Sequence, residues 1–259
     1  MLFDTHAHLD DPQLSENVVA VLEEAANHDV RRILTVSTTL ASCYRSIKLA
    51  QQHTPIYAAV GIHPNSCHEA SPAQWKEVET LVEKDKVVAI GETGLDDHWD
   101  FCPSAIQQEY FARHIQLSHR TGLPFIVHMR DCEEKMMDFL AKSLNEDGRL
   151  NGVMHSFCGS ADAAKQCLQW GMHISFAGMV TYKKNDALRT IAAEIPDDRL
   201  LIETDAPYLS PHPCRGTRPN QPALVRHTLQ CLAETRGVDA TTLAETTSKN
   251  ALTFFGINA

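Results

Sequence analysis

The stretch Met1-Leu2-Phe3-Asp4-Thr5-His6-Ala7-His8-Leu9 is short and largely apolar, and this pattern predicts a buried β-strand. Successive side chains of a strand point to opposite faces, so His6 and His8 project from the same face. Two imidazoles side by side at the end of a strand can bind a divalent metal ion through neutral ring nitrogens. An ordinary core or surface histidine pair has the same pattern, so the rest of the chain decides between the two interpretations.

Seven further apolar runs predict strands, at 32–37, 56–62, 87–91, 124–127, 152–154, 172–176 and 199–204. Amphipathic helices are predicted at 15–29, 42–52, 72–84, 104–121, 131–145, 160–170, 185–194, 223–236 and 241–255. Apolar strands that alternate with such helices indicate a parallel sheet covered by helices. Eight units without a break in composition match the size of a (β/α)8 TIM-like barrel, in a single domain over residues 1–259. A doubly wound open sheet is the competing fold, but no G-x-G-x-x-G follows the first strand.

Potential metal ligands stand at the C-terminal ends of these strands. They are His6, His8, His63, Glu92, His128, His155 and Asp205. Active sites of such barrels lie at this end, so we expect these side chains to converge. Mixed imidazole and carboxylate ligands suit zinc, manganese, cobalt or iron more readily than magnesium. Even without His63, for which we expect a role in the pocket, six ligands are too many for one catalytic ion with an open position, and we expect two divalent ions that share a carboxylate.

The composition limits the partners of the protein. A net charge of −10 argues against a broad basic surface that grips duplex nucleic acid, although a strand end could still enter a pocket whose positive charge comes from metal ions. No apolar run is long enough to cross a membrane, and no secretory signal is recognisable. Eight cysteines without a C-x-x-C motif indicate reduced thiols. We therefore expect a cytoplasmic protein, and a monomer.

Six stretches together resemble the TatD-type metal-dependent hydrolases, also called TatD-related deoxyribonucleases, which are amidohydrolase-like barrels. They are FDTHAH at 3–8, VGIHP at 60–64, AIGETGLD at 89–96, VHMRD at 127–131, HSFCGS at 155–160 and LIETDAPYL at 201–209. The resemblance runs from end to end and implies a TIM-like barrel, in agreement with the strand count.

The resemblance also implies roles for individual residues. One metal ion would be held by His6, His8, Glu92 and Asp205, and the other by Glu92, His128 and His155. Glu92 would bridge the two ions, and Asp205 would also accept a proton from the bound water. Positions that support the ligands or bind substrate would be His63, Arg130, Glu203 and Tyr208. The implied cofactors are two divalent cations, zinc, manganese or magnesium.

Two loops depart from the family pattern. Residues 93–103 contain Asp97-His98-Trp99 where the family commonly has an aromatic pair, and residues 206–222 contain Arg218-Pro219-Asn220-Gln221-Pro222 in place of Arg-Asn-Glu-Pro. Both loops lie over the expected pocket mouth, so the departures bear on substrate preference. Trp99 and Phe101 could stack on a nucleobase or seal the barrel mouth, and we expect sealing. Asp96 and Asp97 are expected to be caps or solvated charges.

The expected activity is that of a deoxyribonuclease, a metal-dependent phosphodiesterase that attacks DNA 3′ ends or single strands with a metal-bound hydroxide. The substrate, single-stranded DNA or frayed ends, comes from the resemblance, whereas the residues themselves indicate only hydrolysis. The same metals could cleave an amide, a lactone or an aminoacyl-tRNA ester. Phosphodiester cleavage needs cationic groups, and the candidates are Arg130, Lys183, Lys184, Arg215 and Arg218. A non-catalytic metal-binding protein is disfavoured because every expected ligand is present.

Overall fold

A computed structural model describes residues 1–258 and contains one eight-stranded parallel sheet in which the strands lie in chain order. The strands are β1 (Leu2–Ala7), β2 (Val30–Val36), β3 (Ile56–Val60), β4 (Val87–Asp96), β5 (Phe125–Arg130), β6 (Gly152–Met154), β7 (His173–Phe176) and β8 (Leu200–Ile202). Helices between consecutive strands cover the outside of the sheet. This architecture is the predicted (β/α)8 TIM barrel.

The helices are α1 (Pro12–Ser15), α2 (Val18–Asn27), α3 (Leu40–Gln52), α4 (Pro72–Leu81), α5 (Ser104–Thr121), α6 (Glu133–Lys142), α7 (Ala161–Gln169), α8 (Asp186–Glu194), α9 (Val225–Arg236) and α10 (Ala240–Phe254). Short 3-10 turns occur at Pro64–Glu69, Gly178–Thr181, Asp197–Arg199 and Pro222–Leu224. The helix predicted at 15–29 corresponds to α2, which is shorter at both ends, and the separate helix α1 precedes it. No helix within residues 1–258 combines the length and the hydropathy that a membrane span requires.

The barrel closes where β1 meets the chain that follows β8. The amide of His8 donates to the carbonyl of Ala206 over 2.7 Å, and the amide of Asp205 donates to the carbonyl of His6 over 2.8 Å. Below them, the buried carboxylate of Asp4 accepts hydrogen bonds from the amide and the hydroxyl of Thr204, over 2.8 and 2.6 Å. This seam brings the end of β1 next to the segment that follows β8.

Two apolar clusters line the two faces of the sheet. The smaller cluster takes buried side chains from most strands, such as Leu34 and Ala59, and continues into residues 251–257 at the end of α10. The larger cluster takes neighbouring strand residues, such as Ile33 and Ala58, and packs them against the surrounding helices. The alternation follows from the two-residue period of a strand, and it leaves the C-terminal rim free for polar side chains.

β4 and β5 are longer than predicted. Residues 93–96, predicted as part of a loop, continue β4 and pair with residues 127–130 of β5. Gly94 permits this pairing, because a Cβ at that position would lie 2.1 Å from the carbonyl oxygen of His128. The extension carries Asp96 from the surface into the barrel rim, where it is 1% exposed.

Candidate metal centre

Glu92 lies at the middle of the C-terminal rim, and its two carboxylate oxygens face different histidines. Oε1 is 2.9 Å from Nδ1 of His128 and 2.9 Å from Nε2 of His155. Oε2 is 3.4 Å from Nε2 of His6 and 3.6 Å from Nε2 of His8. Imidazole nitrogens therefore lie on two sides of the Glu92 carboxylate.

Asp205 adds a second carboxylate to one of these groups. Its Oδ1 lies 3.3 Å from Nε2 of His8 and 3.7 Å from Nε2 of His6. Backbone pairing across the barrel seam sets this position, because the Asp205 amide is bonded to the His6 carbonyl. The structure thus brings together all the side chains that the sequence singled out as ligands: His6, His8, Glu92, His128, His155 and Asp205.

Three of the four histidines are oriented by a hydrogen bond on the far side of the ring. Nδ1 of His8 donates to the carbonyl of Val36 over 2.9 Å. Nδ1 of His155 faces Oε1 of Glu203 over 3.1 Å, and Nε2 of His128 faces Oδ2 of Asp96 over 3.0 Å. In the neutral rings these bonds place the proton on the outer nitrogen and turn the lone pair of the inner nitrogen toward the centre.

Lone pairs and carboxylates that face one another repel unless positive charge lies between them. Both ring nitrogens of His6 are buried without a hydrogen-bond partner. Burial disfavours the charged form of His8, yet Asp205 and Glu92 raise the pKa of this imidazole to about 9. Burial alone would raise the pKa of Glu92, but His155, His63 and His128 lower it well below its usual range. The centre therefore attracts a cation, and its imidazole and carboxylate donors fit a divalent metal ion.

Glu203 supports the centre from below. It is 1% exposed, and its Oε1 accepts hydrogen bonds from the amide of Ser156 over 2.7 Å and from Nδ1 of His155 over 3.1 Å. The side chain does not line the cavity above the centre. Of the two roles that the resemblance left open, these contacts favour orientation of His155 over contact with substrate, because the carboxylate is buried and lies outside the cavity lining.

Asp96 is the supporting residue that the sequence reasoning missed. Its Oδ2 accepts from Asn65 and from Nε2 of His128, both over 3.0 Å. Its Oδ1 accepts from the amides of His98 and Trp99, over 2.9 and 3.1 Å. Asp96 does cap a turn, as expected, but it is buried rather than solvated and also orients His128. The sequence feature that could have indicated this role is the position of Asp96 at the end of the AIGETGLD stretch at 89–96.

His63 lies next to the centre with a different orientation. Its Nδ1 accepts a hydrogen bond from the amide of Asn65 over 3.1 Å, so the neutral ring carries its proton on Nε2. Nε2 is 3.7 Å from Oε1 of Glu92. Burial lowers the pKa of His63 to about 3, which keeps the ring neutral. His63 therefore presents an N–H donor to the site instead of a metal-binding lone pair.

A cavity of about 750 Å³ opens above the centre. Of the cationic candidates, Arg130 and Arg218 line it, whereas Lys183, Lys184 and Arg215 do not. Arg215 lies instead 3.9 Å from the centre of the Tyr182 ring. Tyr208 also lines the cavity, and its ring centre is 6.0 Å from that of His8.

Comparison with known proteins assigns the chain to a family. The sequence model described as "TatD related DNase" matches residues 3–256. The chain belongs to this TatD family. It is 39% identical to the metal-dependent hydrolase YabD of Bacillus subtilis over the full length of both chains. It is 34% identical to the "3'-5' ssDNA/RNA exonuclease TatD" of Enterobacter lignolyticus, over 99% of each chain.

Solved structures agree with this assignment. The crystal structure of YJJV, a TatD homologue from Escherichia coli, superposes with a TM-score of 0.93 at 32% identity, and covers 99% of this chain and 98% of that chain. This chain is therefore a metal-dependent hydrolase of the TatD family with a TIM-barrel fold. A centre of imidazoles and carboxylates under an open cavity is suited to hydrolysis, because bound metal and a nearby base can act on the same water.

Proposed function

We propose that this TatD-family hydrolase is a deoxyribonuclease that cleaves phosphodiester bonds at DNA 3′ ends or in single strands with two divalent metal ions. The observation that carries the proposal is the two-sided environment of Glu92, with His128 and His155 at one oxygen and His6 and His8 at the other. A carboxylate that bridges two ions needs this division of ligands.

In this proposal Glu92, His6, His8 and Asp205 hold one ion, and Glu92, His128 and His155 hold the other. Zinc, manganese or magnesium would fill these sites. When bound, such ions lower the pKa of water and stabilise charge on a phosphoryl oxygen.

The remaining residues of the site have separate tasks. Asp205, whose side chain is 13% exposed, faces the cavity and accepts the proton of the attacking water. His63 directs its Nε2 proton into the cavity, where it donates to a phosphate oxygen. Arg130 and Arg218 supply positive charge for the phosphates on either side of the cleaved bond. Tyr208 borders the same space and contacts the sugar or phosphate.

Single-stranded DNA is the proposed substrate for two reasons. A relative that is 34% identical carries the name "3'-5' ssDNA/RNA exonuclease TatD". The net charge of −10 disfavours adhesion to a duplex, while a lone strand end could enter a cavity of about 750 Å³.

All eight cysteines are free thiols, and reduced thiols fit a protein that acts in the reducing cytoplasm.

Metal analysis combined with a substrate panel tests the proposal. Purified protein is treated with chelator, verified by elemental analysis, and assayed after addition of manganese, zinc or magnesium. The panel contains single-stranded DNA, a DNA duplex, RNA, an aminoacyl-tRNA and simple amides and lactones. We expect hydrolysis to disappear on chelation and to return with a divalent ion, with single-stranded DNA cleaved fastest.

Two outcomes would contradict the proposal. Full DNA hydrolysis by protein proven metal-free would remove the metal centre from the reaction. Hydrolysis of the amide, the lactone or the aminoacyl ester without cleavage of DNA would leave the metal centre in the reaction but show that the substrate is not DNA.

Arg130→Ala should raise KM for DNA, because Arg130 lines the cavity. Lys183→Ala is the matched control, because this cation does not line the cavity.

A further inference from the structure

Trp99 lines the cavity, and Phe101, which lies outside the cavity lining, stacks on it; this exposed aromatic pair is called here the aromatic platform. The two rings are stacked, with centres 5.3 Å apart and planes only 7° from parallel. Trp99 is 44% exposed and Phe101 is 56% exposed. Side chains that seal a barrel mouth would be buried, so the expected sealing role does not agree with these exposures.

The aromatic platform is held firmly against the candidate centre. The amide of Trp99 donates to Oδ1 of Asp96, and the other oxygen of this carboxylate accepts from His128. The ring of His98 packs edge-on against Trp99 at 4.8 Å, and His98 is itself fixed by Asp131 over 2.7 Å. One buried carboxylate thus positions both a proposed metal ligand and the loop that carries the exposed rings.

The charges beside the aromatic platform indicate what it binds. The guanidinium carbon of Arg130 lies over the Trp99 ring, 5.7 Å from its centre, and Trp99, Arg130 and Arg218 line the same cavity as Glu92 and Asp205. Flat apolar rings next to cationic groups complement a nucleotide, which joins a flat base to a negative phosphate. Neither feature alone would distinguish a nucleotide from a simple phosphate or an apolar ligand.

We infer that the aromatic platform is a nucleobase subsite, on which an unpaired base adjacent to the cleaved phosphodiester stacks. The inference rests on the proposed function and adds the part of the substrate that the metal centre does not touch. Stacking accepts any base, so the subsite selects unpaired over paired nucleotides without selecting a sequence. A base inside a duplex cannot stack on Trp99, because neighbouring base pairs already cover both faces of that base.

Binding of paired oligonucleotides tests this inference. Two labelled single strands are compared by anisotropy, identical except that the nucleotides at the 3′ end of the second are abasic, and each strand is shown by gel to remain intact. Trp99→Leu should weaken binding of the base-bearing strand about 5- to 150-fold and leave binding of the abasic strand unchanged. Trp99→Phe, which keeps an aromatic face, should retain most of the affinity.

Controls separate this subsite from general loss of structure. Tyr44→Leu removes an aromatic ring that is 50% exposed and outside the cavity, and it should bind both strands like the unaltered protein. The base-bearing strand should also quench the fluorescence of Trp99 more strongly than the abasic strand. An equal loss on both strands, or no loss on either, would overturn the inference.

Hydrolysis is measured on the same samples and answers a different question. If no phosphodiester is cleaved with any metal, the proposed function is wrong, while the difference between the two strands still decides whether the aromatic platform binds a base. If DNA is cleaved but Trp99→Leu affects both strands alike, the proposed function stands and the nucleobase subsite is wrong.

Discussion

Acidification should destabilise the fold through His114, a histidine of α5 that is fully buried. Its Nδ1 donates to the carbonyl of Tyr110 over 2.6 Å, and its Nε2 accepts from the amide of Ile62 over 3.0 Å. Both ring nitrogens are thus committed in the neutral form. A second proton would set an N–H against the N–H of Ile62, the residue that precedes His63, and would leave the charge without solvent.

The magnitude follows from the pKa. Burial lowers the pKa of His114 from 6.5 to about 4 in the folded protein. Because the folded pKa lies below the unfolded one, the stabilisation is present above pH 6.5 and is lost as the pH falls toward 4. At roughly 1.4 kcal/mol for each pKa unit, the full effect on the free energy of unfolding is about 3 kcal/mol, and about 2.5 kcal/mol of it is lost by pH 4.5.

Urea unfolding from pH 7.5 to pH 4.5 on metal-free protein measures this loss. Other buried groups also titrate, so the quantity of interest is the difference between the unaltered protein and His114→Gln, which should lose about 2.5 kcal/mol less over this range. His119→Gln, an exposed position on the same helix, is the matched control and should behave like the unaltered protein. An identical pH dependence in all three proteins would refute the reasoning.

Three further predictions concern the candidate centre. Glu92→Gln should lower metal occupancy at both sites, whereas His155→Ala should mainly weaken one, since His155 meets only Oε1 of Glu92; elemental analysis of the two variants distinguishes them. Asp205→Asn should lower kcat ~10²–10⁴-fold with little change in KM or Tm, because an oxygen ligand remains but the proton acceptor is lost; near-normal kcat on metal-saturated protein would exclude that role. An unpaired oligonucleotide should be cleaved faster than a blunt hairpin of the same sequence, and faster cleavage within the hairpin would contradict the single-strand preference.

The repeating pattern made the barrel predictable, and local turn signals hid parts of its rim. Apolar strands followed by amphipathic helices repeat through the chain, so an error in any one boundary did not alter the fold. The sequence placed the end of β4 too early, because Gly94 and the acidic residues after it are typical of a loop. Its pairing with β5 is a contact between distant segments, which local composition cannot reveal.

The convergence of the candidate ligands was predictable for a related reason, whereas the roles of Asp96 and His114 were not. A histidine or carboxylate at a strand end is placed by the barrel itself, so sequence position alone indicates convergence. The role of His114 depends instead on a hydrogen bond to the amide of Ile62, and that of Asp96 on contacts with Asn65 and His128. Such contacts depend on how helices and loops pack, which no sequence spacing specifies.

The seam of the barrel has a consequence for how the protein is made. His6 and His8 are synthesised before Asp205, which joins them only after β8 has been made, when its amide can bond to the carbonyl of His6. A nascent chain therefore carries two histidines on a strand whose neighbour at the seam does not yet exist. Under the proposed ligand assignment, a chain released before residue 205 would lack only Asp205 of the group around His6 and His8, so metal retained at that proposed site would mark chains in which the seam has closed.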